Sequence, residues 1–126
     1  MLSVTKIFSF EAAHFLPNHE GLCHQLHGHS YKLSVTIAGE MEQDKTAPDY
    51  GMIIDFGNLK EVVNKVVIEK YDHSCLNDFF KNPTAEKMVK KIAKKLNKTI
   101  NPDAPIFLLS VKLWETSSSY AEWRAE

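Results

Sequence analysis

The sequence predicts an α+β fold of order ββααββ: a four-stranded antiparallel sheet with two helices packed on one face. Two observations carry this. Apolar and polar residues alternate at residues 4–14, 27–38 and 106–124, the period of half-buried strands. Between these stretches the apolar spacing changes twice to i, i+3, i+4, the period of an amphipathic helix. The 126 residues, 44% apolar and 25% charged, suit a single domain over 1–126.

The first strand covers 4–14, where Phe8, Phe10 and Ala12 share one phase and His14 continues it. Pro17, Asn18 and Gly21 mark 16–25 as a loop. The second strand, 27–38, alternates Leu33, Val35 and Ile37 against Lys32, Ser34 and Thr36; His27, His29 and Tyr31 fall in the apolar phase. Residues 39–51 are polar, carry Pro48 and read as a loop. In the first helix, Leu59, Val62, Val63, Val66 and Val67 form the stripe, with Asp55 or Asn58 as N-cap. The second helix follows Asn82 as N-cap and Pro83 as first helical residue. Its stripe is Met88, Val89, Ile92, Ala93 and Leu96, opposite a row of lysines from Lys87 to Lys95. The proline-flanked segment 101–105 breaks the chain. Two strands then follow, Ile106–Glu115 and Ser119–Arg124, joined by a turn at 116–118. No element is left to cover the second face of the sheet, so the sequence predicts an oligomer.

Composition excludes several classes of function. A net charge of −1 without a basic surface run argues against nucleic acid as partner. No apolar run approaches the roughly 18 residues that span a bilayer, so no membrane is expected. Two cysteines make no disulfide framework, and the first residues lack a signal-peptide layout, so a cytoplasmic location is expected.

Chemistry concentrates in Cys23-His24-Gln25-Leu26-His27-Gly28-His29. On an extended segment His27 and His29 project from one face, with Gly28 leaving the position between them open. Pairing of the first two strands brings His14 beside them and completes a three-histidine site for zinc with a free coordination position. Cys23 has two readings: a fourth ligand of a structural zinc, or a thiolate base beside a catalytic metal. His19 and His24 read as solvent-exposed bystanders, and Cys75 as inert. Asp72-His73 fits either a tautomer-fixing pair or a helix C-terminus favouring His⁺. Glu115 shares the phase of Phe107, Leu109, Val111 and Leu113. It either points inward, needing a partner, or turns to water at the strand end.

Together these residues resemble the 6-pyruvoyl-tetrahydropterin synthase and 6-carboxytetrahydropterin synthase family. The resemblance runs through Phe10-Glu11-Ala12-Ala13-His14, Cys23, His27-Gly28-His29, Met52-Ile53-Ile54-Asp55-Phe56, Asp72-His73, Leu76-Asn77-Asp78, Asn82-Pro83-Thr84-Ala85-Glu86 and Glu115-Thr116. It implies a tunnelling fold (T-fold), trimers stacked as a homohexamer, and active sites where subunits meet. It further implies Zn2+ on His14, His27 and His29, Cys23 as base, and Asp72 and His73 as its relay. Glu115, also counted with the relay, would anchor the pterin by a bidentate contact, with Thr116 and Thr84 in the substrate site. Lys32 and Lys60 are candidates for the triphosphate. The four-residue step from Cys23 to His27 resembles the bacterial queuosine-pathway branch, which converts 7,8-dihydroneopterin triphosphate to a 6-carboxy product, acetaldehyde and triphosphate. The alternatives are a pyruvoyl-forming synthase on the same substrate and a non-catalytic, zinc-stabilised interaction module.

Overall fold

A computed structural model describes residues 1–100 and 105–126. Strand β1 (Ser3–His14) and strand β2 (His27–Gly39) form a long antiparallel hairpin. Strand β4 (Ile106–Thr116) pairs with β2, and β5 (Ser119–Arg124) with β4, both antiparallel. The expected four strands are present. A fifth, two-residue strand β3 (Ser74–Cys75) adds to β1 in parallel, giving the order β3-β1-β2-β4-β5. It is too short for a periodic signal in the sequence. The chain-breaking segment predicted at 101–105 lies, up to residue 104, outside the described residues.

The predicted phases hold on β1 and β2. Phe8, Phe10, Ala12, Tyr31, Leu33, Val35 and Ile37 are buried with His14 under the helices. On β4 the expectation needs correction. The pairing runs Thr36↔Ser110 and then Ile37↔Leu108, so Leu109 is an extra residue that shifts the register. Upstream of it the phase inverts: Leu108 is buried and Phe107 is 42% exposed. Downstream, Val111 and Leu113 are buried as expected.

The first helix runs Phe56–Val63, widens into a π-helical turn at Asn64–Ile68 and closes as Glu69–Tyr71. Asp55 is its N-cap, accepting from the amides of Gly57 and Asn58. The buried residues are Leu59, Val63, Val67 and Tyr71, spaced by four. An α-helix repeats every 3.6 residues and would rotate such a row off the core. The wider π turn holds it in line and delivers Tyr71, Asp72 and His73 to the end of β1.

The second helix spans Ala85–Thr99 and buries the predicted stripe of Met88, Val89, Ile92, Ala93 and Leu96. Its N-cap is Thr84 rather than Asn82. Thr84 is extended, and its hydroxyl accepts from the Lys87 amide at 3.2 Å. Pro83 therefore stands just before the cap rather than at the first helical position, which leaves its carbonyl free to face β1.

Candidate functional site

The hairpin register builds the centre of the site. His14 faces His27 directly across the ladder, and His29 lies opposite Ala12 on the same face. One ligand nitrogen from each histidine lies within 4.8 Å of the others, with His14 fully buried and the other two partly so. The rings meet edge to face, with centroids 4.7 to 4.9 Å apart. Gly28 faces the other side of the sheet, where an added Cβ would meet only the Ala12 carbonyl at 3.8 Å. The single chain therefore gives no steric reason for glycine there.

Backbone carbonyls fix two of the rings. His14 Nδ1 lies 2.9 Å from the Pro83 carbonyl, and His27 Nδ1 lies 2.7 Å from that of Gln25. A carbonyl can only accept, so each Nδ1 carries the proton and each Nε2 presents a lone pair. Those two Nε2 atoms face each other at 3.1 Å, an opposition of lone pairs that a cation between them relieves. His29 Nε2 is buried without a hydrogen-bond partner; Glu115 Oε1 is 3.3 Å away but too poorly aligned to bond. Burial, chiefly, lowers the pKa of His14, with Glu115 opposing and the other two histidines assisting. The same balance of burial against Glu115, assisted by His27, lowers His29. Neutral imidazoles with bare, convergent nitrogens are what metal binding requires. The residues fit the metal.

Tyr31, in the histidine phase, sits beneath them with its hydroxyl 3.2 Å from His14 Nδ1. Burial first, and then Glu115, raises its pKa and keeps it a neutral phenol. Asn77 pairs its side-chain amide with both backbone groups of Phe15, each at 2.9 Å, and so pins the residue after His14. The sequence assigns neither a role: Tyr31 is marked only by its phase, and Asn77 only by its place in Leu76-Asn77-Asp78.

The other predicted residues are more dispersed. Glu115 lies on β4 where pairing passes from Trp114↔Tyr120 to Thr116↔Ser119, a second register shift that turns it toward His29. With Thr116 it lines a cavity of about 620 Å³ between the second helix and β5, walled by Ala85, Val89, Tyr120 and Trp123. Thr84 spends its hydroxyl on the helix cap. Asp72 accepts from the Glu11 amide at 2.9 Å and sits 3.1 Å from His73 Nδ1. The Glu11 bond is the main cause of its lowered pKa, with His73 assisting. His73 is 79% exposed and takes a left-handed backbone, φ 60°, uncommon for a non-glycine residue. Cys23 is half-buried on the 3₁₀ turn Leu22–His24 and is not in the metal-ligand group. His19 and His24 are exposed, as expected. Lys32 stacks its ammonium 4.3 Å over Trp114, and Lys60 is exposed on the first helix.

Comparison with known proteins points one way. The family model described as 6-pyruvoyl tetrahydropterin synthase matches residues 3–126. The chain is 33% identical over 144 residues to the 6-carboxy-5,6,7,8-tetrahydropterin synthase of Haemophilus influenzae, covering 98% of this chain and 99% of that one. It is 39% identical over 125 residues to the enzyme of the same name from Synechocystis, covering 98% and 93%. Among solved structures it is similar to the 6-pyruvoyl tetrahydropterin synthase of Caenorhabditis elegans. That match has a TM-score of 0.82 and 26% identity and covers 99% of this chain and 96% of that one.

Proposed function

The chain belongs to the 6-pyruvoyl tetrahydropterin synthase family, and on that premise we propose that it is a zinc-dependent 6-carboxy-5,6,7,8-tetrahydropterin synthase. In this reading it is a lyase that converts 7,8-dihydroneopterin triphosphate and water to 6-carboxytetrahydropterin, acetaldehyde and triphosphate, within queuosine biosynthesis. The observation that carries it is the convergence of three imidazoles, two of them tethered to backbone carbonyls, at one end of the hairpin.

His14, His27 and His29 would hold the ion. Zinc supplies Lewis acidity there, polarising the oxygens of the substrate side chain and acidifying the neighbouring C–H and O–H bonds. The remaining work falls to the chain. Cys23, as thiolate, takes and returns protons. Asp72, held by the Glu11 amide, keeps His73 oriented as the relay. Glu115 and Thr116, at the mouth of the 620 Å³ cavity, anchor the pterin ring by a bidentate contact to its 2-amino and N3 hydrogens. Glu115 makes no hydrogen bond to His29, so its carboxylate is free for that task. Homohexamer formation would complete the site. The outer edge of β5 and most of the outer edge of β1 have no partner strand among the described residues, and such unpaired edges are templates for pairing with another chain.

Incubation with zinc and 7,8-dihydroneopterin triphosphate tests the proposal. Acetaldehyde and the carboxy product are expected, read by coupled reduction and mass spectrometry. A pyruvoyl product without acetaldehyde would reassign the chain to the other branch of the family. Tight zinc binding with no turnover would favour the interaction module.

A further inference from the structure

We propose that Tyr31 is a positioning residue of the metal site. The Pro83 carbonyl sets the tautomer of His14, and the Tyr31 hydroxyl, bonded to the same Nδ1, holds the ring in the orientation that aims Nε2 at the metal. The inference rests on the reading of His14, His27 and His29 as a metal site.

Two oxygens compete for one proton. Pro83 O lies 2.9 Å and Tyr31 Oη 3.2 Å from His14 Nδ1. The carbonyl has no hydrogen to give, so the ring must donate, and the phenol oxygen shares that N–H as a second acceptor. The opposite tautomer would set a lone pair against the Pro83 carbonyl, which cannot donate, whereas the phenol can bond to Nδ1 in either state. It would also place a hydrogen on the Nε2 that faces His27. The two acceptors therefore act together on the atom away from the metal, the usual way an outer partner orients an imidazole ligand.

The phenol itself is held still. Tyr31 is 1% exposed, and its ring lies almost parallel to that of Phe10, centroids 5.0 Å apart at 8°. Phe10 in turn packs on Tyr71 at 6.3 Å, just before the Asp72–His73 pair. Tyr31 also stands edge-on to His14 and His29, at 6.2 and 5.6 Å. Its hydroxyl has no other hydrogen-bond partner among the described residues, although a buried phenol ordinarily finds one. Its service to the core needs only the ring. The hydroxyl is left for His14.

The test compares wild type with Tyr31→Phe, which keeps the ring and removes the oxygen. Zinc affinity, measured by competition with a chromophoric chelator, is expected to fall roughly tenfold to a hundredfold. The visible absorption of the cobalt-substituted protein should shift, while the melting temperature of the metal-free protein stays put. Affinity within about twofold of wild type together with an unchanged cobalt spectrum overturns the proposal. Nitrogen NMR of the metal-free wild type provides a check that needs no variant. His14 protonated at Nδ1 supports the clamp, and His14 protonated at Nε2 overturns it. If wild type itself takes up neither zinc nor cobalt, the metal reading fails, a result distinct from a failure at Tyr31 alone.

Discussion

His14, His27 and His29 stand on two paired strands, whereas Cys23 and His73 stand on turns. In the first region each side chain is aimed by a continuous ladder, and two of the three rings are tied to carbonyls at 2.7 and 2.9 Å. In the second, the thiol sits on a three-residue 3₁₀ turn and the imidazole of His73 is 79% exposed on a left-handed residue. The metal end is thus finished within one chain. The Asp72–His73 end has its anchor, Asp72 on the Glu11 amide, but not its walls. That is the division expected where a neighbouring subunit supplies the remaining surface, and it separates what substitutions at each end should do.

The largest effect is expected at the ladder. His27→Ala removes a ligand whose ring is already oriented, so zinc content of the purified protein should collapse. Turnover should fall by at least about a thousandfold, the equivalent of several kcal/mol of metal-derived stabilisation. Metal analysis beside the acetaldehyde assay reads both. Full zinc occupancy in this variant would erase the distinction between the two regions.

Cys23→Ala should act on one quantity alone. Zinc occupancy and melting temperature stay at wild-type values while turnover drops by about 10² to 10⁴, the range of a general base. Loss of zinc would instead make Cys23 a fourth ligand and this a structural site. The comparison breaks most cleanly here.

The same contrast explains what could be read from the sequence. Period-two alternation fixes which face a side chain takes on a continuous ladder, so His14, His27, His29 and even Tyr31 were assignable to the buried face of β1 and β2. The second helix was equally legible, because five apolar residues share one stripe. Alternation fails at an extra residue. Leu109 inverts the phase of Phe107, and no composition signal marks the bulge. Nor does a backbone carbonyl have a side-chain signature. The contacts of Pro83 and Gln25 that set the histidine tautomers exist only once the second helix and the 3₁₀ turn are placed. Cys23 lies in such a segment, so its position was not legible.

The smallest effect concerns how Asp72 joins the two regions. Its carboxylate bridges the Glu11 amide on β1 and the His73 ring, and chiefly the amide bond depresses its pKa below the ordinary value of 3.8. A carboxyl depressed in the folded state stabilises the fold at pH values above its unfolded pKa. That contribution disappears as pH falls through the folded value. Melting temperatures recorded from pH 7 down to pH 3 should therefore fall below about pH 4 more steeply in wild type than in Asp72→Asn. The asparagine still offers an oxygen to the Glu11 amide but does not titrate. Because Asp72 lies open to solvent, the difference should be small and shrink further in high salt. Identical acid limbs would mean that the Asp72–Glu11 tie does not hold in solution, leaving the His73 amide on the Glu11 carbonyl and the pairing of β3 to join this segment to β1.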